Sequence, residues 1–209
     1  MRLSDGRTLE TDKVLITVPI SVLKRDRIRF SIDLAPRHLT ALHGVDFGSG
    51  LKAFLKFRER FYPDMLFDGP RASALADTWT EKLYYDAAFG KPTEDNVLGL
   101  FTVSDGPLPR VGMSDAALLT DILVELTETF GTIVTNSYID GVVQNWSAAP
   151  HIIGSYSMEN YGNREVADIL VPVQDKVFFA SEALGNGDQS TIQGAAFSAM
   201  RAARWIRDA

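Results

Sequence analysis

The sequence contains no cysteine. That absence excludes a disulfide framework, a thiolate metal site and a thiol nucleophile together. Histidine is scarce: His38, His43 and His151 are the only three, and their spacing matches no pattern of metal ligands. Basic residues are in deficit, with 21 Lys and Arg against 27 Asp and Glu, a formal net charge of -6 and a sequence pI near 5.1. No basic stripe interrupts that balance. A nucleic-acid partner, whose binding depends on counterion release by a dense cationic face, is therefore not expected. No apolar run approaches the roughly 18 residues that can span a bilayer, and the first residues, Met1-Arg2-Leu3-Ser4-Asp5-Gly6-Arg7, hold no apolar signal core. The expectation is a cytoplasmic protein with no membrane partner. Finally, the chain lacks G-x-G-x-x-G, the strand-to-helix turn that cradles a dinucleotide pyrophosphate. Gly48-Ser49-Gly50 is not that motif, because Lys52 and more strand pattern follow it rather than a helix.

What is present can build a core. With 45% hydrophobic and 23% charged residues over 209 positions, the chain reads as globular, one domain or one domain plus a fragment. Asp5-Gly6 marks a hairpin turn between Leu3 and Leu9. The run from Lys13 to Val18 is nearly continuous in apolar β-branched residues, the pattern of a strand covered on both faces, and Pro19 ends it. Pro36 starts a short helix over 37–43. From Phe47 to Phe57 the pattern alternates, which places Lys52 on one face with Phe54. Further strands are expected over 72–78, 83–88, 97–103 and 133–143. Between the last two, Leu118, Leu119, Ile122, Leu123 and Leu126 recur at helical spacing over 115–130, capped by Ser114 and stopped by Gly131.

The last thirty residues carry the strongest sign of chemistry. The apolar strand Val177-Phe178-Phe179-Ala180 turns at Ser181-Glu182, and after a Gly-rich loop a helix is expected from Thr191 to Ile206. Such turns present backbone N–H groups and a helix N-terminus to an anionic ligand. Small residues such as Gly194 and Ala195 equally allow plain helix packing. Likewise Lys52 reads, on local pattern alone, as an exposed strand lysine, and Trp146 and Tyr156 as packing aromatics.

Taken in order along nearly the whole chain, Asp12 to Pro19, Phe47 to Lys52, Asn145-Trp146-Ser147, Gly154-Ser155-Tyr156 and Phe179-Ala180-Ser181-Glu182 with Gly194-Ala195-Ala196 resemble the flavin-containing amine oxidases. The resemblance implies an α+β fold: a mixed β-sheet substrate domain flanked by helices, plus the terminal strand and helix of an FAD-binding domain. Residues 1–19 would be a remnant of the FAD-binding domain and crossover strand, 20–172 the substrate domain, and 173–209 the FAD-contacting strand and helix. Lys52 would hold a water against the flavin N5 as the catalytic lysine. Trp146 and Tyr156 would wall the substrate cavity. Thr191 falls where a second cage aromatic is usual. Ser181, replacing the usual glycine, and Glu182 would contact the cofactor, while Thr191, Ile192 and Gln193 would offer N–H groups to the flavin pyrimidine edge and Gly194 would keep the helix close to it.

The same resemblance implies FAD as cofactor, a small-molecule amine as substrate and dioxygen as electron acceptor. Without the glycine fingerprint, this chain alone is expected to hold FAD weakly or not at all, with an N-terminal FAD-binding half as its missing partner and self-association through exposed sheet edges. Two other readings stay open: a non-catalytic substrate-domain fragment binding a small ligand or partner, and a desaturase-like or protoporphyrinogen-oxidase-like flavoenzyme. No metal is expected.

Overall fold

The computed structural model describes residues 1–68, 82–104, 108–158, 169 and 171–208. The chain divides into two compact units, residues 48–155 and residues 1–47 with 156–209.

The unit of residues 48–155 is built on an antiparallel sheet. Strands β2 (Ser49–Phe57), β3 (Met65–Asp68), β4 (Lys82–Asp86), β5 (Asn96–Ser104) and β6 (Tyr138–Asn145) lie in the order β3-β4-β5-β2-β6. One face of β2, Leu51, Ala53, Leu55 and Phe57, is buried to within 1% exposure and meets Leu98 and Leu100 of β5. Helix α3 (Asp115–Phe130) covers that face with Leu118, Ile122 and Leu126, all buried. Its start and stop follow the sequence: Ser114 Oγ accepts the Ala117 N–H at 3.3 Å, and Gly131 takes a φ of 76° beyond the last turn.

The expected strand over 133–143 is corrected here. Residues Ile133–Ser137 form a short helix, α4, and pairing begins only at Tyr138. β-branched Ile133-Val134-Thr135 reads as strand, but Val134 drops into the core and Ser137 Oγ donates to the Ile133 carbonyl at 2.6 Å, so burial and a closed helical turn win over propensity. The strand expected over 72–78 lies outside the described residues. Strand β3 carried too short an alternation to be anticipated.

The other unit holds a parallel pair, β1 (Val14–Ile16) with β7 (Val177–Phe179), in the register Val14 to Val177, Leu15 to Phe178 and Ile16 to Phe179. Strand β1 is shorter than expected and not covered on both faces: Ile16 packs against the buried cluster of its unit, while Leu15, on the opposite face, is 38% exposed. Helices α1 (Ile20–Lys24) and α2 (Pro36–Gly44) bury Ile20, Leu23, Ala41 and Leu42 beside Phe179 and Leu184. Lys24 Nζ ties the two helix ends by donating to the carbonyls of His43 and Val45. Helix α5 (Ile192–Asp208) closes the unit, and Lys13 Nζ donates to the Ile206 carbonyl near its end. The class is thus α+β, with antiparallel pairing in one unit and parallel pairing in the other. No helix among the described residues is long and apolar enough to cross a membrane.

Candidate functional site

The site grows from the end of β7. After Phe179 the chain leaves the parallel pair, Ser181 takes an extended conformation, and a single 3-10 turn, Glu182–Leu184, follows. The Glu182 carboxylate then gathers three donors. Ser157 N–H reaches Oε1 at 3.1 Å, Ser157 Oγ reaches Oε2 at 2.5 Å and Ser190 N–H reaches Oε2 at 2.9 Å. Ser190 Oγ in turn donates to the Ser157 carbonyl. A carboxylate with two oxygens and roughly four lone-pair directions can serve all of these. Glu182 therefore fixes the loop that enters α5, with Ser190 held at a φ of 63°. The tie of Ser157 and Ser190 to Glu182 was not legible in the sequence, since a serine gives no sign of a carboxylate 25 or 8 residues away.

Thr191 is the N-cap of α5. Its Oγ1 accepts the Gly194 N–H at 2.9 Å and donates to the Asp188 carbonyl at 2.7 Å. Gly194 is required by space: a Cβ there would lie 1.9 Å from the Asp188 carbonyl oxygen. With Ser190, Gly194 and Ala195 engaged as donors, the backbone N–H groups of Thr191, Ile192 and Gln193 bond to no described group. Three unengaged donors at the positive end of a 17-residue helix form an anion- or carbonyl-binding edge. Ser198, fully buried, donates from Oγ to the Ser181 carbonyl at 2.8 Å and binds the helix to the turn.

Ser181, Glu182, Thr191, Ile192, Gln193 and Gly194 are thus brought together in one unit. Tyr156 belongs to the same unit, next to Ser157, and burial pushes its phenol pKa upward. Lys52 and Trp146 belong to the other unit. There Lys52 is half-buried on β2, its Nζ 5.2 Å from the centre of the Phe101 ring, and it makes no ion pair among the described residues. Trp146, 37% exposed, follows β6, and its carbonyl accepts the N–H groups of Ala149 and Gly154. No group of three or more metal-binding side chains occurs among the described residues.

The family model for flavin containing amine oxidoreductases matches residues 1–207. The chain belongs to that family. The chain is 26% identical over 205 residues to lysine-specific histone demethylase 1B of Mus musculus, covering 97% of this chain and 25% of the relative. It is 26% identical over 203 residues to probable polyamine oxidase 4 of Arabidopsis thaliana, covering 95% of this chain and 39% of the relative. A solved structure of a putrescine oxidase redesigned in its cofactor binding superposes with a TM-score of 0.68 at 17% identity, over 94% of this chain and 43% of that one. That likeness speaks for the fold alone. The chain spans between a quarter and two fifths of the length of these two sequence relatives.

Proposed function

We propose that this chain forms the substrate-facing sheet and the flavin-contacting helix start of an FAD-dependent amine oxidase. The observation that carries the reading is the set of unengaged N–H groups at Thr191, Ile192 and Gln193. Their chemistry fits a flavin, whose pyrimidine edge presents carbonyl oxygens and gains negative charge on reduction; a helix N-terminus stabilises such charge by about 0.3–1 kcal/mol or more where solvent is excluded. Bound FAD would supply the redox chemistry, by which an amine and dioxygen become an imine and hydrogen peroxide.

The remaining work falls to side chains. Lys52, half-buried and with no ion-pair partner among the described residues, would hold a water by its ammonium and orient it. Tyr156 and Trp146 would exclude solvent from the C–N bond. Glu182 acts by holding Ser157 and Ser190, and so the approach of α5, in place. The pyrophosphate cradle is not among these residues, so tight FAD retention would call on residues beyond them.

The test is a titration of the chain with FAD, followed by flavin fluorescence, and then anaerobic addition of an amine. Weak but saturable binding is expected, with bleaching of the bound flavin's visible absorbance by the amine slowed about 10²-fold in Lys52→Met. Absence of binding even at high FAD would leave the chain as a flavin-free ligand-binding domain, the reading that the missing glycine fingerprint favours.

A further inference from the structure

Beyond β6 the chain closes a loop on itself. The Trp146 carbonyl accepts the N–H groups of Ala149 and Gly154, each at 3.2 Å, so that residues 146–154 form a compact closed loop. Both of its ends are clamped to the start of β2. Ser147 Oγ accepts the Gly50 N–H at 2.8 Å, and Ser155 donates its N–H at 2.7 Å and its hydroxyl at 3.0 Å to the Gly48 carbonyl. Only glycine lets this clamp close at position 50, where a Cβ would lie 2.7 Å from Ser155 Cβ. Just before the loop, Asn145 donates from Nδ2 to the Val111 carbonyl at 3.0 Å and accepts the Ala148 N–H at 3.2 Å.

The closure passes through one strained residue. Ile153 takes a φ of 58°, followed by Gly154 at 146°. Left-handed backbone presses Cβ toward the following carbonyl, and a β-branched side chain suffers most from it. The conformation is held from both sides, by Ile153 N–H on the Ala149 carbonyl at 3.0 Å and by Gly154 N–H on the Trp146 carbonyl. Strain of this kind persists where the surroundings over-determine it, and it collects where a group has to be held for function. The group held here is Trp146. Its carbonyl is fixed by two donors while 37% of the residue stays open to solvent.

We propose that Ile153 is a positioning residue: its strained turn closes the loop on the Trp146 carbonyl and thereby holds the Trp146 indole as a fixed wall for the amine. This rests on the amine-oxidase reading above. Ile153 acts through Trp146 and takes no part in the chemistry. Its β-branch stiffens the turn, whereas a glycine would keep the same φ without strain and admit other conformations as well. Stability and function therefore move in opposite directions at this position.

The test compares Ile153→Gly with Ile153→Val in the full chain. The Trp146 indole N–H resonance, assigned by its loss in Trp146→Phe, should shift and broaden in Ile153→Gly and stay in place in Ile153→Val. Ile153→Gly should melt no lower than wild type, because relief of strain offsets the greater freedom of its unfolded chain. With FAD at saturation and no oxygen, the butylamine concentration that bleaches the flavin at half the maximal rate should rise about 3–10-fold in Ile153→Gly, the maximal rate changing less, and return to the wild-type value in Ile153→Val. An unmoved Trp146 resonance in Ile153→Gly would overturn the proposal whatever the flavin does. A displaced resonance with unchanged butylamine dependence would overturn it too, by putting Trp146 outside the path of the substrate, and would leave the oxidase reading intact. Wild type that butylamine does not bleach would remove the oxidase reading, and the proposal with it.

Discussion

The two units are stabilised by different means. Residues 48–155 rely on pattern: long alternating strands, a 16-residue amphipathic helix and a core in which Leu51, Leu55, Leu100, Leu118 and Ile122 are at most 1% exposed. The unit of residues 1–47 and 156–209 has two three-residue strands, and to a core around Leu42, Phe179 and Leu184 it adds specific polar ties, among them Glu182 to Ser157 and Ser190, Lys13 to Ile206 and Lys24 to Val45. Backbone geometry follows the same division. Of the described non-glycine residues with positive φ, Asp26, Gln174, Asp175, Asn186 and Ser190 lie in the second unit and only Ile153 in the first. Such conformations persist where the surroundings over-determine them, and two of them, Asn186 and Ser190, flank the approach to the free N–H groups of α5. Regular packing thus supplies a platform, while locally dictated backbone supplies the donor edge.

The sharpest way to break the contrast is to hollow the patterned unit. Leu118→Ala removes a fully buried side chain beneath the sheet and should cost about 2–5 kcal/mol, the usual transfer plus cavity penalty. Hydrogen exchange should then accelerate in β2, β5 and α3 and leave α5 protected. Equal loss of protection in α5 would show that the two units unfold as one.

A second, smaller effect comes from the charged cluster that pins α3 to β4. Burial disfavours the Glu125 carboxylate, but hydrogen bonds from Lys82 Nζ at 2.7 Å, Tyr84 Oη at 2.6 Å and Arg110 at 2.7 Å outweigh it and hold its pKa below the ordinary glutamate range. A pKa lowered on folding stabilises the protein above the unfolded value, and that stability is lost as pH falls through the folded value. Wild type should therefore lose stability in acid more steeply than Glu125→Gln. At neutral pH the variant should be about 1–3 kcal/mol less stable, read by urea unfolding at both pH values. Parallel pH profiles would show that Glu125 does not carry the dependence.

The same division decides what could be read in the sequence. Helix α3 and its caps were legible to the residue, because Ser114, the leucine spacing and Gly131 state the same boundaries. Strand β2 and the shared face of Lys52 and Phe54 were legible from alternation. The α4 turn was not, since Ile133-Val134-Thr135 carries strand propensity and only tertiary burial makes it helical. In the site, the order of Ser181, Glu182 and the Thr191 cap could be seen, but the partners of Glu182 could not: Ser157 is distant in sequence and ordinary in composition. Gly99 did leave a sign, an isolated glycine within a strand pattern, which marks a bulge or a close approach. What approaches it, Tyr85, required the register.

The unit of polar ties can be tested at its tightest contact. Gly194→Ala forces a Cβ to within 1.9 Å of the Asp188 carbonyl, so the loop over 185–188 must move off the helix. A cost of about 1–3 kcal/mol is expected from overpacking of this kind. Exchange should quicken at Ser190 and along the first turns of α5, with the sheet of the other unit unaffected. An unchanged melting curve would mean that the loop yields freely and that Gly194 serves no packing role.

The smallest effect on stability should be the most telling for function. Ile192 is the first residue of α5, is 88% exposed, and gives its N–H to no described acceptor. Proline is favoured at a first helical position because its fixed φ suits the turn and the donor it lacks is unused by the helix. Ile192→Pro should therefore fold with stability within about 0.5 kcal/mol of wild type, while removing one N–H from the donor edge. A neutral hydrogen bond contributes about 0.5–1.5 kcal/mol net, so flavin affinity should fall about 2–10-fold. Because the packing of Gly194 and the knot around Glu182 stay intact, this substitution separates the donor edge from the scaffold that presents it. Unaltered flavin binding in a folded Ile192→Pro chain would assign the free N–H groups to solvent and remove the observation on which the cofactor reading stands.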